Sequence, residues 1–411
     1  MSFELAELLT PAGLADPYAV HARWRAERAT GADPGRLLFD AEEVAAVLTD
    51  ATWSSDRVPS LLRPLEHRDR YAVLEETLRS ITAFADPPDH TRIRRVMART
   101  FTPRAVRAMA PAVTAIAEAE VGRFVADGPG DVVARLTYPL PALVISSLLG
   151  IPAADRHRFG DWALAIVYLV GAGRADVAHA ERARDAMAEM HEYLAALVAR
   201  RRADPGDDLL SSMIASSDTD ESDGSGGAGG ADDRAGLSVV ELHANALFLM
   251  VAGHETATNQ LSNALITLCR DPVEAARVRD GSCDLDRAVE ELLRYEPAVQ
   301  FTARLARDDR LVGTTPVAAG QSVVLALGAA NRDPARFVDP GRLDLDREPA
   351  PNLTFARGAH HCLGAALARL ELRTVLPTLL RAAPGIGLGD DEVAWQPTLD
   401  FRGPEKLDLT W

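Results

Sequence analysis

Phe355 to Gly364 reads FARGAHHCLG, one cysteine set among two glycines, two histidines and an arginine, and it runs directly into an alanine-rich helical pattern. Glycines at 358 and 364 let a second group come close to the backbone. A helix starting at Cys362 would aim its N–H groups and the positive end of its dipole at the sulfur, which favours a thiolate. One thiolate with no other protein ligand nearby in sequence suits a metal whose remaining positions are filled from elsewhere, and haem is the foremost candidate.

Upstream, the sequence predicts one long helix over 237–270. Ser238 followed by Glu241 forms a capping-box start, and Asp271-Pro272 ends it. Apolar residues on several faces around Leu247 to Val251 mark a helix buried on all sides. Halfway along comes AGHETATN, in which Ala252 and Gly253 precede Glu255 and Thr256. Glycine inside a helix costs about 1 kcal/mol against alanine, so space beside the helix is the expected reason for it. An acid next to a hydroxyl can hold water or a small ligand and pass protons. Taken alone, the pair reads first as a solvated glutamate and a helix-capping or back-bonding threonine. A zinc helix is excluded, because the position four residues after His254 is Thr258 and not histidine.

Most other segments also read as helix: 16–29, 71–82, 90–100, 104–127, 138–149, 154–169, 176–203, 207–215, 272–280, 284–295 and 362–381. Strand signals cluster in RLARDDRLVG, TPVAAGQSVVLALG and the terminal KLDLTW. The fold class is therefore mainly α with small β-sheets. One domain over 1–411 is expected, carrying a flexible Gly/Asp/Ser-rich surface loop at 216–236 that has too little apolar surface to offset its ordering entropy.

Composition narrows the function classes. The chain has 411 residues, 47% hydrophobic and 25% charged, as in a globular protein. A formal charge of −16 lacks the basic footprint that nucleic acid requires. Nearly all the positive charge is arginine, Lys406 being the only lysine. No run approaches the roughly 18 apolar residues of a membrane span, and the N-terminus lacks a cationic leader, so a cytoplasmic protein is expected. Cys269 and Cys283 have no metal-site spacing with Cys362 or with each other.

In its ordered set of motifs the chain resembles the soluble bacterial members of the cytochrome P450 family. The set runs from DPPDHTRIRR at Asp86 through AGHETATN and EELLR to FARGAHHCLGAALAR. The resemblance implies haem b between a long central helix and the cysteine-ligand helix, with Cys362 as the iron's axial ligand and Phe355 packed near it. It implies propionate contacts from His90, Arg94, Arg304 and His360, and haem packing at Ala252, Gly253 and Gly364. Glu255 and Thr256 would deliver protons. Glu291, Arg294 and Arg342 would form a buried structural charge network. Phe248, Val251, Val299, Phe301 and Leu399 would line the substrate pocket, under a lid formed by Ser54 to Phe84 and Trp162 to Arg174.

The implied activity is monooxygenation of a small, largely apolar organic molecule in bacterial secondary metabolism, using O2 and two electrons supplied by a ferredoxin and its ferredoxin reductase. Arg94, Arg95, Arg99, Arg357, His361, Arg369 and Arg373 would attract such an acidic donor. The resemblance departs at Ala356, where the family carries glycine and a positive φ would strain alanine. It departs again before residue 50, where ERATGADPGRLLFDAEEVAAVL leaves a trimmed first sheet. Two other readings share some of these features. A cysteine hydrolase needs a base facing the sulfur, which adjacent His361 is badly placed to be, and a haem-thiolate sensor or peroxygenase has no use for Glu255 and Thr256.

Overall fold

The structure, a computed structural model, describes residues 4–31, 35–63, 65, 68–155, 158, 162, 165, 166, 169, 177–222, 236–313, 315–390 and 392–411. Its helices of eight residues or more are α1 (Pro17–Ala29), α2 (Ala41–Thr49), α3 (Ala72–Arg79), α4 (Asp89–Thr100), α5 (Pro103–Ala126), α6 (Pro139–Leu148), α7 (Val177–Ala203), α8 (Leu209–Ser222), α9 (Val239–Arg270), α10 (Pro272–Asp280), α11 (Leu285–Tyr295) and α12 (Ala365–Ala382). All but α2 lie where the apolar spacing predicts a helix. The strands are β1 (Leu37–Leu38), β2 (Trp53–Ser54), β3 (Gly130–Asp131), β4 (Phe301–Ala306), β5 (Arg310–Val312), β6 (Thr315–Val317), β7 (Ser322–Ala326), β8 (Gly387–Leu388), β9 (Ala394–Trp395), β10 (Pro404–Lys406) and β11 (Asp408–Thr410).

Three expectations change at this level. The helix predicted from Cys362 starts at Ala365, with Gly364 as its N-cap. Cys362 instead turns its N–H back to the Phe355 carbonyl, at 3.0 Å, which closes the loop ahead of the helix. The surface loop predicted from Ser216 begins later, since α8 continues to Ser222, and 223–235 lie outside the described residues. The predicted helix over 154–169 and the lid segment from Trp162 also fall largely outside them.

Contacts divide the chain into two compact units. One comprises Met1–Ser54, Pro111–Pro141 and Glu255–Trp411, and the other Ser55–Ala110 and Ala142–His254. The first unit holds every strand named above. Its four-stranded sheet has the order β1-β7-β4-β2, with β4 antiparallel to β7 from Phe301↔Ala326 to Leu305↔Ser322. Edge strands β1 and β2 have two residues each, which is the trimming that the short N-terminal segment implies. The C-terminal strand β11 lies between β3 and β8. Two apolar clusters flank the larger sheet, one around Leu38, Val44, Val323 and Leu325, the other around Trp24, Phe39, Phe301 and Ala329. The second unit is helical.

Helix α9 runs for 32 residues, about 48 Å at 1.5 Å per residue. Its start is the predicted capping box: Ser238 N–H donates to Glu241 Oε2 at 2.8 Å, and Glu241 N–H donates to Ser238 Oγ at 3.2 Å. Asp271 then caps α10 by accepting from the Glu274 N–H at 3.2 Å. Among the described residues no helix is long and apolar enough to cross a membrane.

Candidate active site

The loop that carries Cys362 is fixed by its own backbone while the cysteine itself is exposed. Beyond the Cys362 N–H bond to Phe355, the Ala356 N–H donates to the Leu353 carbonyl at 2.9 Å and the His361 N–H to Gly358 at 3.1 Å. Gly358 has φ +72°, and a Cβ there would sit 2.5 Å from the Leu48 carbonyl oxygen, so only glycine lets the loop rest on α2. Gly364 has no such neighbour within 4 Å. Ala356 adopts φ +53°, the left-handed conformation that favours the glycine it replaces. Alanine accepts roughly 1–2 kcal/mol of strain there.

Phe355 closes the other side of the loop. The Arg369 guanidinium stacks on its ring at 4.5 Å and is held by hydrogen bonds to Glu290, one of them 3.1 Å from Nη2 to Oε2. A single exposed soft donor on a pre-formed loop fits a haem thiolate. No group of three or more His, Cys, Asp or Glu side chains able to hold a metal ion occurs among the described residues.

A buried charge network supports this loop. Arg294 and Glu291, both on α11 and both with side chains 2% exposed, form a bidentate pair at 2.7 Å through Nε and Nη2. The second cation on Glu291 is Arg347, whose Nε lies 3.1 Å from both carboxylate oxygens. Here the expectation for Arg342 is corrected. Its side chain is 67% exposed and pairs with Asp344 at 2.7 Å, while only its carbonyl reaches the network, accepting from Arg347 Nη2 at 3.0 Å. Two successive turns separate the residues, the Arg342 N–H donating to the Asp339 carbonyl at 3.0 Å and the Arg347 N–H to the Asp344 carbonyl at 2.9 Å, and it is the second turn that brings a guanidinium to Glu291.

From this network the bonds lead directly to the cysteine loop. Arg294 Nη1 donates to the Asn331 carbonyl at 2.9 Å. The Asn331 side chain then accepts from the Leu353 N–H at 2.6 Å and donates to Thr354 Oγ1 at 2.9 Å. Asn331 and Arg347 are the residues that sequence reasoning missed here, although Asn331 opens NRDPARFVDPGRL, the stretch that carries Arg342.

Helix α9 presents the second part of the site. From Leu242 to Leu268 every residue is buried except Phe248, Ala252, Gly253 and Thr256, which stay partly accessible. Spacings of four, one and three place them on one face of the helix. A buried helix with one accessible stripe has open space along that stripe, and three of its four residues lack bulk. Gly253 also serves packing, since a Cβ there would lie 3.3 Å from Ile145 Cδ1. Val251 is 6% exposed and lies off the stripe.

Glu255, the neighbour of Thr256 in sequence, is itself buried. It is 8% exposed, and its Oε1 lies 3.4 Å from Asn259 Nδ2 and 3.4 Å from Gln396 Nε2. Burial raises its pKa above the ordinary carboxylate range, and the two amides partly offset this. The acid can thus hold a proton at higher pH than a solvated glutamate, next in sequence to the partly accessible Thr256. Asn259 was predictable as the i+4 neighbour of Glu255. Gln396 comes from a distant segment and gave no sequence signal.

The remaining predicted residues separate by unit. On α4, His90 is 3% exposed and Arg94, one turn on, is half-buried. In the first unit Arg304 is 6% exposed on β4, with Nη1 donating to the Ala303 carbonyl at 2.9 Å, and His360 is half-buried in the turn Gly358–His360. Of the expected pocket residues, Phe301 belongs to the core, 6% exposed beside Trp24 and Phe39. Its register opposite Ala326 turns the ring into that cluster. Val299 and Leu399 are only partly buried against the two clusters. Val299 pairs with Phe401 across an isolated bridge, next to Leu399.

A family model described as Cytochrome P450 matches residues 285–382. The chain is 37% identical over 408 residues to cytochrome P450 monooxygenase PikC of Streptomyces venezuelae, covering 97% of this chain and 91% of that protein. It is 37% identical over 380 residues to the mycinamicin IV hydroxylase/epoxidase of Micromonospora griseorubida, covering 91% and 89%. Among solved structures it is similar to P450BioI in complex with hexadec-9Z-enoic acid ligated acyl carrier protein, with TM-score 0.85, 28% identity and coverage of 98% and 100%. CalO2 matches with TM-score 0.85, 31% identity and 98% of each chain.

Proposed function

Because the chain belongs to the cytochrome P450 family and is a monooxygenase of that family, we propose that Cys362 supplies its thiolate to the iron of haem b. The whole chain serves this one function in the bacterial cytoplasm. The observation that carries the reading is the exposed sulfur on a loop held by its own backbone and by the Glu291 network. Pre-organised ligands lose little freedom when they bind.

When bound, haem supplies the oxygen-binding and one-electron chemistry of the reaction. The chain's own groups do the rest. His90, Arg94, Arg304 and His360 would hold the propionates, their positive charge suited to charge-assisted hydrogen bonds. Gly364, with no neighbour within 4 Å of a Cβ, leaves room beside the sulfur. Thr256 holds a hydroxyl on the open stripe, and Glu255 keeps the proton it passes on. Phe248 is the largest apolar residue of the stripe, and with Val299 and Leu399 as further candidate contacts it supports a small, largely apolar substrate from secondary metabolism.

The test is the absorption spectrum of the reduced protein under carbon monoxide. A strongly red-shifted Soret band is expected, and it should vanish in Cys362→Ala. A band that survives in Cys362→Ala, or is missing from folded, haem-loaded protein, overturns the assignment.

Electrons come from a separate donor, a ferredoxin reduced by its reductase. Arg95 and Arg99 are exposed one turn apart on α4, and His361 is exposed beside Cys362. Arg369 and Arg373 are already committed to Glu290 and Asp286. Arg95→Glu tests this surface: reduction by ferredoxin is expected to slow several-fold at low salt and to converge on the parent rate as salt screens the charges. Equal rates at low salt would remove this surface from the donor's path.

A further inference from the structure

We propose that Gln396 is a positioning residue for Glu255, holding carboxylate oxygen Oε1 together with Asn259 so that Oε2 carries the proton toward Thr256. This rests on the proposed function and deepens it. Both amides direct an N–H at the same oxygen, and Gln396 Nε2 also lies 3.4 Å from Asn259 Oδ1, so the three side chains brace one another. Both amide hydrogen bonds to the Glu255 carboxyl go to Oε1 and not to Oε2. At 3.4 Å these bonds are long for neutral partners, and they are of the kind that shorten when the carboxylate ionises.

The clamp is built from outside the helix. Gln396 follows β9, and its N–H donates to the Gly403 carbonyl at 3.0 Å, closing the loop that carries Leu399. Within that loop the Thr398 N–H returns to the Gln396 carbonyl at 2.9 Å, and Thr398 Oγ1 donates to the Phe401 carbonyl at 2.8 Å. Gly403 has to be glycine, because a Cβ there would collide with Asn259 Oδ1. Two separate features of the loop, an amide and a missing side chain, thus serve the placement of one carboxylate.

The proton balance is simple. The proton on Oε2 passes to the Thr256 hydroxyl oxygen as that hydroxyl releases its own proton to the acceptor, and the carboxylate left behind is reprotonated from solvent. A carboxylate free to rotate would present either oxygen, and misplacement of about 1 Å costs such steps up to roughly 100-fold. No ionised side chain figures among the influences on Glu255, only burial and the two amides, so the amides are the available control.

The experiment is infrared difference spectroscopy of the haem-loaded protein across pH. The protonated-carboxyl band is assigned to Glu255 by its loss in Glu255→Gln. In Gln396→Leu, which keeps the shape and removes the donor, the midpoint of that band is expected to rise, because a hydrogen bond to the ionised form is lost. Gly403→Ala, which removes no polar group, is expected to raise it too by displacing Asn259, and it decides the matter should leucine at 396 prevent haem loading. A midpoint that stays put or falls overturns the inference. Each variant is read with its reduced carbon monoxide band intact, so failure of the carboxyl titration is separate from failure of the haem-thiolate reading.

Discussion

Glu291→Ala is expected to destabilise the protein by about 3–5 kcal/mol. The carboxylate sits between two guanidiniums, and its side chain and that of Arg294 are each 2% exposed. Removing it leaves Arg294 charged in a medium that cannot solvate the charge, and such a loss exceeds the net worth of the pair itself. The same substitution is expected to lower the fraction of protein showing the red-shifted carbon monoxide band, because Arg294 holds Asn331 and Asn331 holds Leu353 and Thr354 just ahead of the cysteine loop. Chemical denaturation measures the first effect and the reduced spectrum the second. A loss under 1 kcal/mol would contradict the network. Within it, Arg347→Ala should cost far more than Arg342→Ala, which should stay within about 0.5 kcal/mol as at other exposed positions.

The second large effect concerns Glu371, on the helix that follows the cysteine. It is 2% exposed, its Oε2 has no hydrogen-bond partner, and burial pushes its pKa up to about 8 from 4.5. The folded protein therefore keeps this proton where the unfolded chain releases it. Stability that is complete below about pH 4.5 is lost as pH rises toward 8, by about 1.4 kcal/mol per unit across that window. Glu371→Gln abolishes this slope. The variant is expected to match the parent near pH 4.5 and to exceed it by about 4 kcal/mol at pH 8. Denaturation midpoints at the two pH values give the comparison. A variant no more stable at pH 8 than the parent would mean that the carboxyl is ionised within the fold.

Local rules made much of this legible. Helix α9 was bounded correctly because its capping box and its Asp-Pro stop are both short-range chemistry. Its accessible stripe was foreshadowed by Gly253, a residue that costs helix stability and so asks for space beside the helix as a reason. Phe301 was misplaced because an aromatic after EELLR fits a pocket or a core equally well, and only the register with Ala326 decides. Arg342 was named in place of Arg347 for a similar reason: the two lie five residues apart, and the turn closed by the Arg347 N–H on the Asp344 carbonyl brings the second of them to Glu291. Helix α2 escaped notice because nine residues offer too few turns for periodicity to register. Gln396 could not be foreseen at all, as it meets Glu255 across 141 positions of chain.

The contact between Gly358 and the Leu48 carbonyl means that the position of the sulfur is keyed to a helix more than three hundred residues earlier in the chain. Residues 41–49 are thus a remote tuning element. A substitution that tilts α2 would reach Cys362 through backbone alone, with no change in any residue of FARGAHHCLG. Exchanging the first fifty residues for those of a relative would therefore move the loop that carries Cys362 and, with Cys362 as the proposed iron ligand, would shift the reduction potential.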